Sequence, residues 1–242
     1  MFFTFTMVLS LFTGWYIWDT YFYSFLIVVF NESVRHATYI TNIYTVGGSV
    51  WGIVLDIIVR YNGKLKWPEL YFGVPITIFG VVLMIKFRQP DSNIGYIVMC
   101  QIFVALGGGT LVICDQMTIM AVSSHQYIPA ILAMEAMVAS IGASVGSTIA
   151  AAMWSGIFPK KLAEFLPANA QSNLGEIYGS LITQSSFPVG SPTRIAIDHA
   201  YGETQRLMLI ASTCIYSITL VSVMFWKDIN VKNLKQRGGH VW

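Results

Sequence analysis

Three carboxylates stand inside long apolar stretches of this chain: Asp19, Asp115 and Glu135. An ionisable side chain at membrane depth is costly, and those that persist mark ion or substrate paths by default. Asp19 shares a helical face with Trp15, Tyr16 and Tyr23, at offsets of three or four residues. An acid among aromatic rings suits a substrate or proton site. Asp115 is followed by Gln116 and shares a face roughly with Gln101, and Glu135 falls about two turns into its own stretch. A carboxylate that gains and loses a proton could link proton entry to a conformational change. Asp19, then Asp115 and Glu135, are the candidates for that role. The plainer reading of each is a structural hydrogen bond to a neighbouring helix.

Thr38, Asn42, Thr45, Ser49, Gly52 and Asp56 recur at alternating spacings of four and three, which puts them on one helical face. Lipid does not tolerate a polar stripe along a whole spanning helix, because unpaired polar groups there are costly. The stripe must face other helices, where it would act as glue, or a hydrated pathway, where it would line a cavity. Helix-spaced Gly142 and Gly146, with Ala139 and Ala150, make a ridge of small residues suited to close helix packing. Gly107–Gly109 weakens its helix locally and marks a hinge or a close backbone approach.

The elements that must position these residues are membrane spans. Of 242 residues, 55% are hydrophobic and 11% charged, against about 25% charged in soluble domains. The mean hydropathy is +0.62. Charges cluster between apolar runs that a soluble core of this size could not hide. Six stretches reach the roughly 20 residues a spanning helix needs: about 8–30, 36–59, 70–88, 95–121, 127–157 and 203–226. Residues 158–202 read as a long external loop with a short helix near 169–178, and residues 227–242 as a basic tail. The expected fold is an all-α membrane protein whose bundle occupies residues 1–226.

Lys and Arg counts in the short loops and tail place both termini in the cytoplasm, with Lys86 and Arg88 as the exception. The apolar start, without a basic leader, suggests a partial chain. A net charge of +2 is too small to suggest nucleic acid. Cys100 and Cys114 would lie roughly 21 Å apart on one helix and cannot pair. The four histidines have no ligand spacing, so neither a metal nor another cofactor is expected, and no motif of soluble catalysis is present.

Gly52–Lys66 (GIVLDIIVRYNGKLK) resembles a degenerate loop signature of the major facilitator superfamily, G-x-x-x-D followed by basic residues and a glycine. Gly52, Asp56, Arg60, Gly63, Lys64 and Lys66 fill those roles, which the resemblance identifies with a cytoplasmic gate. A narrower resemblance covers nearly the whole chain. WYIWDTYFYSFL (15–26), ATYITNIYTVG (37–47), NGKLKWP (62–68), IGYIVMCQIFVALGGG (94–109), ICDQMTIMA (113–121) and AYGETQRLM (200–208) look like fungal siderophore–iron transporters. The resemblance implies the C-terminal six-helix half of a fourteen-span, proton-coupled carrier in the plasma membrane or an endosomal or vacuolar membrane. Its implied partners are the lipid bilayer, a ferric chelate as small-molecule substrate, and a missing N-terminal half or a second copy. A related glutathione–proton exchanger, a drug exporter of the same fold, or a non-transporting remnant are the alternatives.

Overall fold

Helix ends are set by local chemistry, and their lengths by the apolar runs between. The structure is a computed structural model that describes residues 2–226 and 228–230. Among the described residues, five helices are long and apolar enough to cross a membrane. These are α3 (Val34–Asn62), α4 (Lys66–Phe87), α5 (Ile94–Val122), α6 (Ile128–Phe165) and α9 (Pro192–Phe225). A sixth rod is made of α1 (Phe2–Asp19) and α2 (Phe22–Val28). The Ser33 hydroxyl, the Asn93 side-chain oxygen and the Ser191 hydroxyl accept backbone N–H bonds at the starts of α3, α5 and α9. Gly63, at φ 70°, closes α3 in the left-handed conformation that glycine adopts freely.

The bundle is two interlocked trios. The broken first rod packs on α6 and α9, while α5 packs on α3 and α4, and α9 joins the trios through α4. Such an exchange of neighbours is the pattern of a three-plus-three inverted repeat. Phe3 stacks on Phe225 with centroids 5.8 Å apart, so the start of α1 and the end of α9 share one end of the bundle. The Lys66 ammonium donates to the carbonyls of Trp226 (2.5 Å) and Met224 (2.9 Å), tying the start of α4 to that same end.

Several boundaries differ from the sequence expectation. The first span is not continuous over 8–30 but breaks at Thr20–Tyr21. The Thr20 hydroxyl bonds back to the Tyr16 carbonyl at 2.5 Å, and the Gln205 amide of α9 donates to the Tyr21 carbonyl at 3.1 Å. A tertiary donor of this kind satisfies a helix break that contains neither glycine nor proline. The α4 backbone passes through a π-helical turn at Glu69–Gly73, where Val74 N–H reaches the Glu69 carbonyl. Pro75 explains the turn, because its ring has no N–H and clashes with the carbonyl four residues back.

The loop expected at 158–202 is shorter. Helix α6 runs through Pro159 to Phe165, and α9 begins at Pro192. Between them lie a 3₁₀ turn at Gln171–Asn173 and two short helices, α7 (Leu174–Gly179) and α8 (Leu181–Ser186). One buried arginine clamps this segment. Arg194, 1% exposed, donates to the carbonyls of Gln184 (2.6 Å), Phe187 and Val28. Asp198 lies 3.5 Å from its Nε, and Tyr201 donates to the Gln184 side chain at 2.6 Å. The basic tail at 227–242 falls almost wholly outside the described residues.

Candidate functional site

The α3–α5 seam opens into a cavity of about 240 Å³ whose lining includes Phe12, Trp15, Tyr44, Thr45, Ser49 and Gly109. Glycine makes the seam. A Cβ on Gly108 would lie 2.6 Å from the Tyr44 hydroxyl, and one on Gly109 would lie 2.9 Å from the Gly48 carbonyl. The glycine triplet is therefore a site of close backbone approach inside a continuous α5. Trp15 and Tyr44 stand 4.7 Å apart, ring to ring, across α1 and α3. Trp15 Nε1 is buried without a hydrogen-bond partner among the described residues.

Of the residues singled out in the sequence, Trp15, Thr45 and Ser49 line this cavity. Tyr16 and Tyr23 are half-buried and do not line it, although the Tyr16 ring packs against Trp15. Sequence reasoning missed Tyr44. Its place one residue before Thr45, in a stretch already read as polar, was the available signal. Thr38, Asn42, Thr45 and Ser49 are all exposed. Three of them donate to their own helix: Thr38 to Val34, Asn42 to Thr38 and Ser49 to Thr45, at 2.7–2.8 Å. These three side chains do not glue α3 to its neighbours in this bundle; the stripe looks outward. An apolar stripe of Val46, Val50, Ile53 and Ile57 runs beside it on α3. Helix α6 carries a matching outward polar row, Ser140, Ser144 and Thr148, again bonded to its own carbonyls.

Besides the Arg194 clamp, the buried charges form two groups. Asp19, partly buried at the end of α1, lies within electrostatic reach of Arg88. Arg88 is 0% exposed, donates to the Trp18 carbonyl at 3.1 Å and sits 4.1 Å over the Phe22 ring, with Phe25 at 5.4 Å. The sequence count treated Arg88 as a loop charge. It is instead enclosed by aromatic faces, which attract a cation. The second group is at the opposite end of α4. Asp115 is fully buried, Glu135 of α6 lies within its electrostatic reach, and Gln116 is half-buried nearby. Glu69 joins them, 0% exposed. Sequence reasoning did not single out Glu69, which stands in a charge cluster between two apolar runs; the π turn that carries it inward has no signature beyond Pro75. Gln101 is buried with both side-chain ends unpartnered among the described residues.

In the gate segment, Gly52 is buried, with a Cβ there 3.4 Å from Ile113, while Asp56, Arg60 and Lys64 are exposed. Lys64 bridges to Asn230. Gly142 and Gly146 meet α1 backbone to backbone: a Cβ would lie 2.6 Å from the Leu9 carbonyl and 2.5 Å from the Thr13 carbonyl, respectively.

No family model matches the chain, and no solved structure matches it. Curated relatives do. It is 55% identical over 96% of its length to "MFS siderochrome iron transporter 1" of Ajellomyces capsulatus, spanning 40% of that protein. It is 40% identical over 96% of its length to "Siderochrome iron transporter 2" of Aspergillus fumigatus, and 40% identical over 95% to "Siderophore iron transporter mirB" of Emericella nidulans. It covers 38% of each of these two, so the chain spans about two-fifths of the length of these relatives. Six apolar rods in two interlocked trios, joined to this pervasive identity, make the chain an integral membrane protein that is similar, over nearly its whole length, to about two-fifths of siderophore–iron transporters of the major facilitator superfamily.

Proposed function

We propose that the chain is the C-terminal six-helix half of a proton-coupled carrier for ferric siderophore chelates. One observation carries this reading: the polar face of α3 turns outward beside an aromatic cavity, in a chain whose relatives are named for siderophore iron transport. Carriers of this superfamily bind substrate at midplane between two bundles. A cavity of about 240 Å³ is below the roughly 300–1,000 Å³ of a complete small-molecule site. It supplies one wall, and a second bundle would supply the other.

A chelate arrives with its iron already wrapped, so recognition falls to neutral donors, acceptors and ring faces. Thr45 and Ser49 supply hydroxyls, Trp15 an unpartnered N–H, and Tyr44 a ring and a phenol. Asp19 is the first candidate for proton coupling. Its reach to Arg88 gives it two states, an ion pair when ionised and a neutral acid when protonated. Asp115 and Glu135 follow. Both termini would be cytoplasmic, in the plasma membrane or an endosomal or vacuolar membrane, with Asp56 to Lys64 at the gate.

The test is uptake of radioactive iron as a ferric hydroxamate by cells lacking their own siderophore carriers. The chain is joined to the N-terminal helices of a relative, and its expression alone is the comparison. Accumulation driven by an inward proton gradient supports the reading. Efflux of glutathione or of a drug, with no iron accumulation, would replace the substrate class.

A further inference from the structure

Helices α4 and α5 run antiparallel, and three contacts fix their register. A Cβ on Gly80 would lie 2.7 Å from Val104, one on Gly107 would strike Thr77, and one on Gly73 would lie 3.1 Å from Leu111 and Thr110. Each step of about one turn down α4 is matched by one up α5. The next rung places Glu69 opposite Asp115. Both side chains are 0% exposed, and all four carboxyl oxygens lack a hydrogen-bond partner among the described residues. Buried polar groups are otherwise bonded almost without exception. A dry pair of carboxylates cannot stay doubly ionised without a cation between them.

The cations within reach are outnumbered by acids. Lys66, within electrostatic reach of Glu69 on α4 itself, already spends its ammonium on the carbonyls of Met224 and Trp226. Helix α5 adds the thiol of Cys114, α6 adds Glu135 beside Asp115, and α3 adds Asp56 within reach of Cys114. Apart from Lys66 and the chain's terminal amine, whose charge reaches Asp115, every one of these groups is acidic.

We propose that Glu69 and Asp115 form a proton-binding site that holds one shared proton, the O–H of one carboxyl donating to the carboxylate oxygen of the other. When the end of the bundle where α1 begins and α9 ends opens to water, the pair can release that proton to a water molecule or take one up. The site lies on the opposite side of the bundle from Asp19 and its Arg88, so a proton-coupled carrier would hold one titratable group near each face. That purpose rests on the transport reading; the chemistry of the pair does not.

The test uses the purified chain in phosphatidylcholine vesicles, with infrared spectra at neutral pH in H₂O and D₂O and no substrate present. The expected result is a protonated-carboxyl C=O band, shifted by deuterium, equivalent to one carboxyl per chain and absent from the Glu69→Gln/Asp115→Asn double variant. Asp115→Asn alone should move the band to the position of an isolated acid. Glu69→Asp, which shortens the reach without removing the acid, should change the band's width and serves if Glu69→Gln fails to insert. Circular dichroism confirms equal helix content. A spectrum that none of the variants alters would overturn the proposal, as would loss of the band on adding sodium or calcium, which would identify a metal-ion site. A chain that passes this test and fails iron uptake would separate the proton site from the substrate assignment.

Discussion

Gly146→Ala should destabilise the bundle although alanine favours helix. The added Cβ would sit 2.5 Å from the Thr13 carbonyl oxygen and 2.9 Å from Tyr16 Cβ. Ordinary C–H···O contact begins at about 3.3 Å, so α1 and α6 must part by about 0.8 Å. Overpacking of this kind costs about 1–3 kcal/mol. The parting also strains the Thr13 hydroxyl bond to the Gly142 carbonyl, 3.1 Å long, and such bonds contribute about 0.6 kcal/mol in membranes. Against this stands a gain of about 1 kcal/mol from replacing glycine within a helix. The net expectation is a loss of about 1.5 kcal/mol, roughly tenfold in the unfolding equilibrium. Gly156 is the internal control. It lies on the same helix with nothing within 4 Å of its Cβ position, so Gly156→Ala should stabilise by up to about 1 kcal/mol. Reversible unfolding of the purified chain in mixed micelles of dodecyl maltoside and sodium dodecyl sulfate, followed by circular dichroism, measures both. Equal or higher stability of Gly146→Ala would show that the seam is loose and refute the reasoning. The double variant with Gly142→Ala should cost less than the sum of its parts, because one displacement relieves both clashes.

Cysteine scanning separates the faces of α3. Thr45→Cys and Ser49→Cys should react with a water-soluble thiosulfonate at least tenfold faster than Val50→Cys and Ile53→Cys, and equal rates would place the polar stripe in lipid. In the joined carrier, Asp19→Asn should abolish proton-driven uptake while the protein still reaches the membrane; unchanged pH-dependent uptake would remove Asp19 from coupling. Arg194→Leu should loosen the segment between α6 and α9, since charged hydrogen bonds contribute about 1.5–3 kcal/mol each. Limited proteolysis within residues 166–191 should accelerate about tenfold or more, and an unchanged rate would show that other contacts hold the segment.

The rods themselves were legible in the sequence because apolar runs and end-capping residues act locally. Ser33, Asn93 and Gly63 mark helix ends as their chemistry requires. The ridge at Gly142 and Gly146 was legible for the same reason. Features that depend on a distant partner were not. Nothing near Thr20 announces a break, because the stabilising donor is Gln205. Pro159 reads as a helix end, yet α6 continues through it. Arg88 and Glu69 look like surface charges at span ends, and only the aromatic faces of α1 and α2, or the π turn, show that they are buried. The outward aspect of the α3 stripe could not be settled by periodicity, which groups residues on a face without saying what that face meets.

The wide turn at Glu69–Gly73 holds one residue more than an ordinary helical turn would. Were it to tighten, everything on its N-terminal side would screw round by ~100° while α5 stayed still. The glutamate would swing out of line with the aspartate across from it, and the lysine three positions earlier would be pulled from the last carbonyls of α9. A single slackened loop of backbone is thus enough to turn a small local rewinding into a torque on the far terminus.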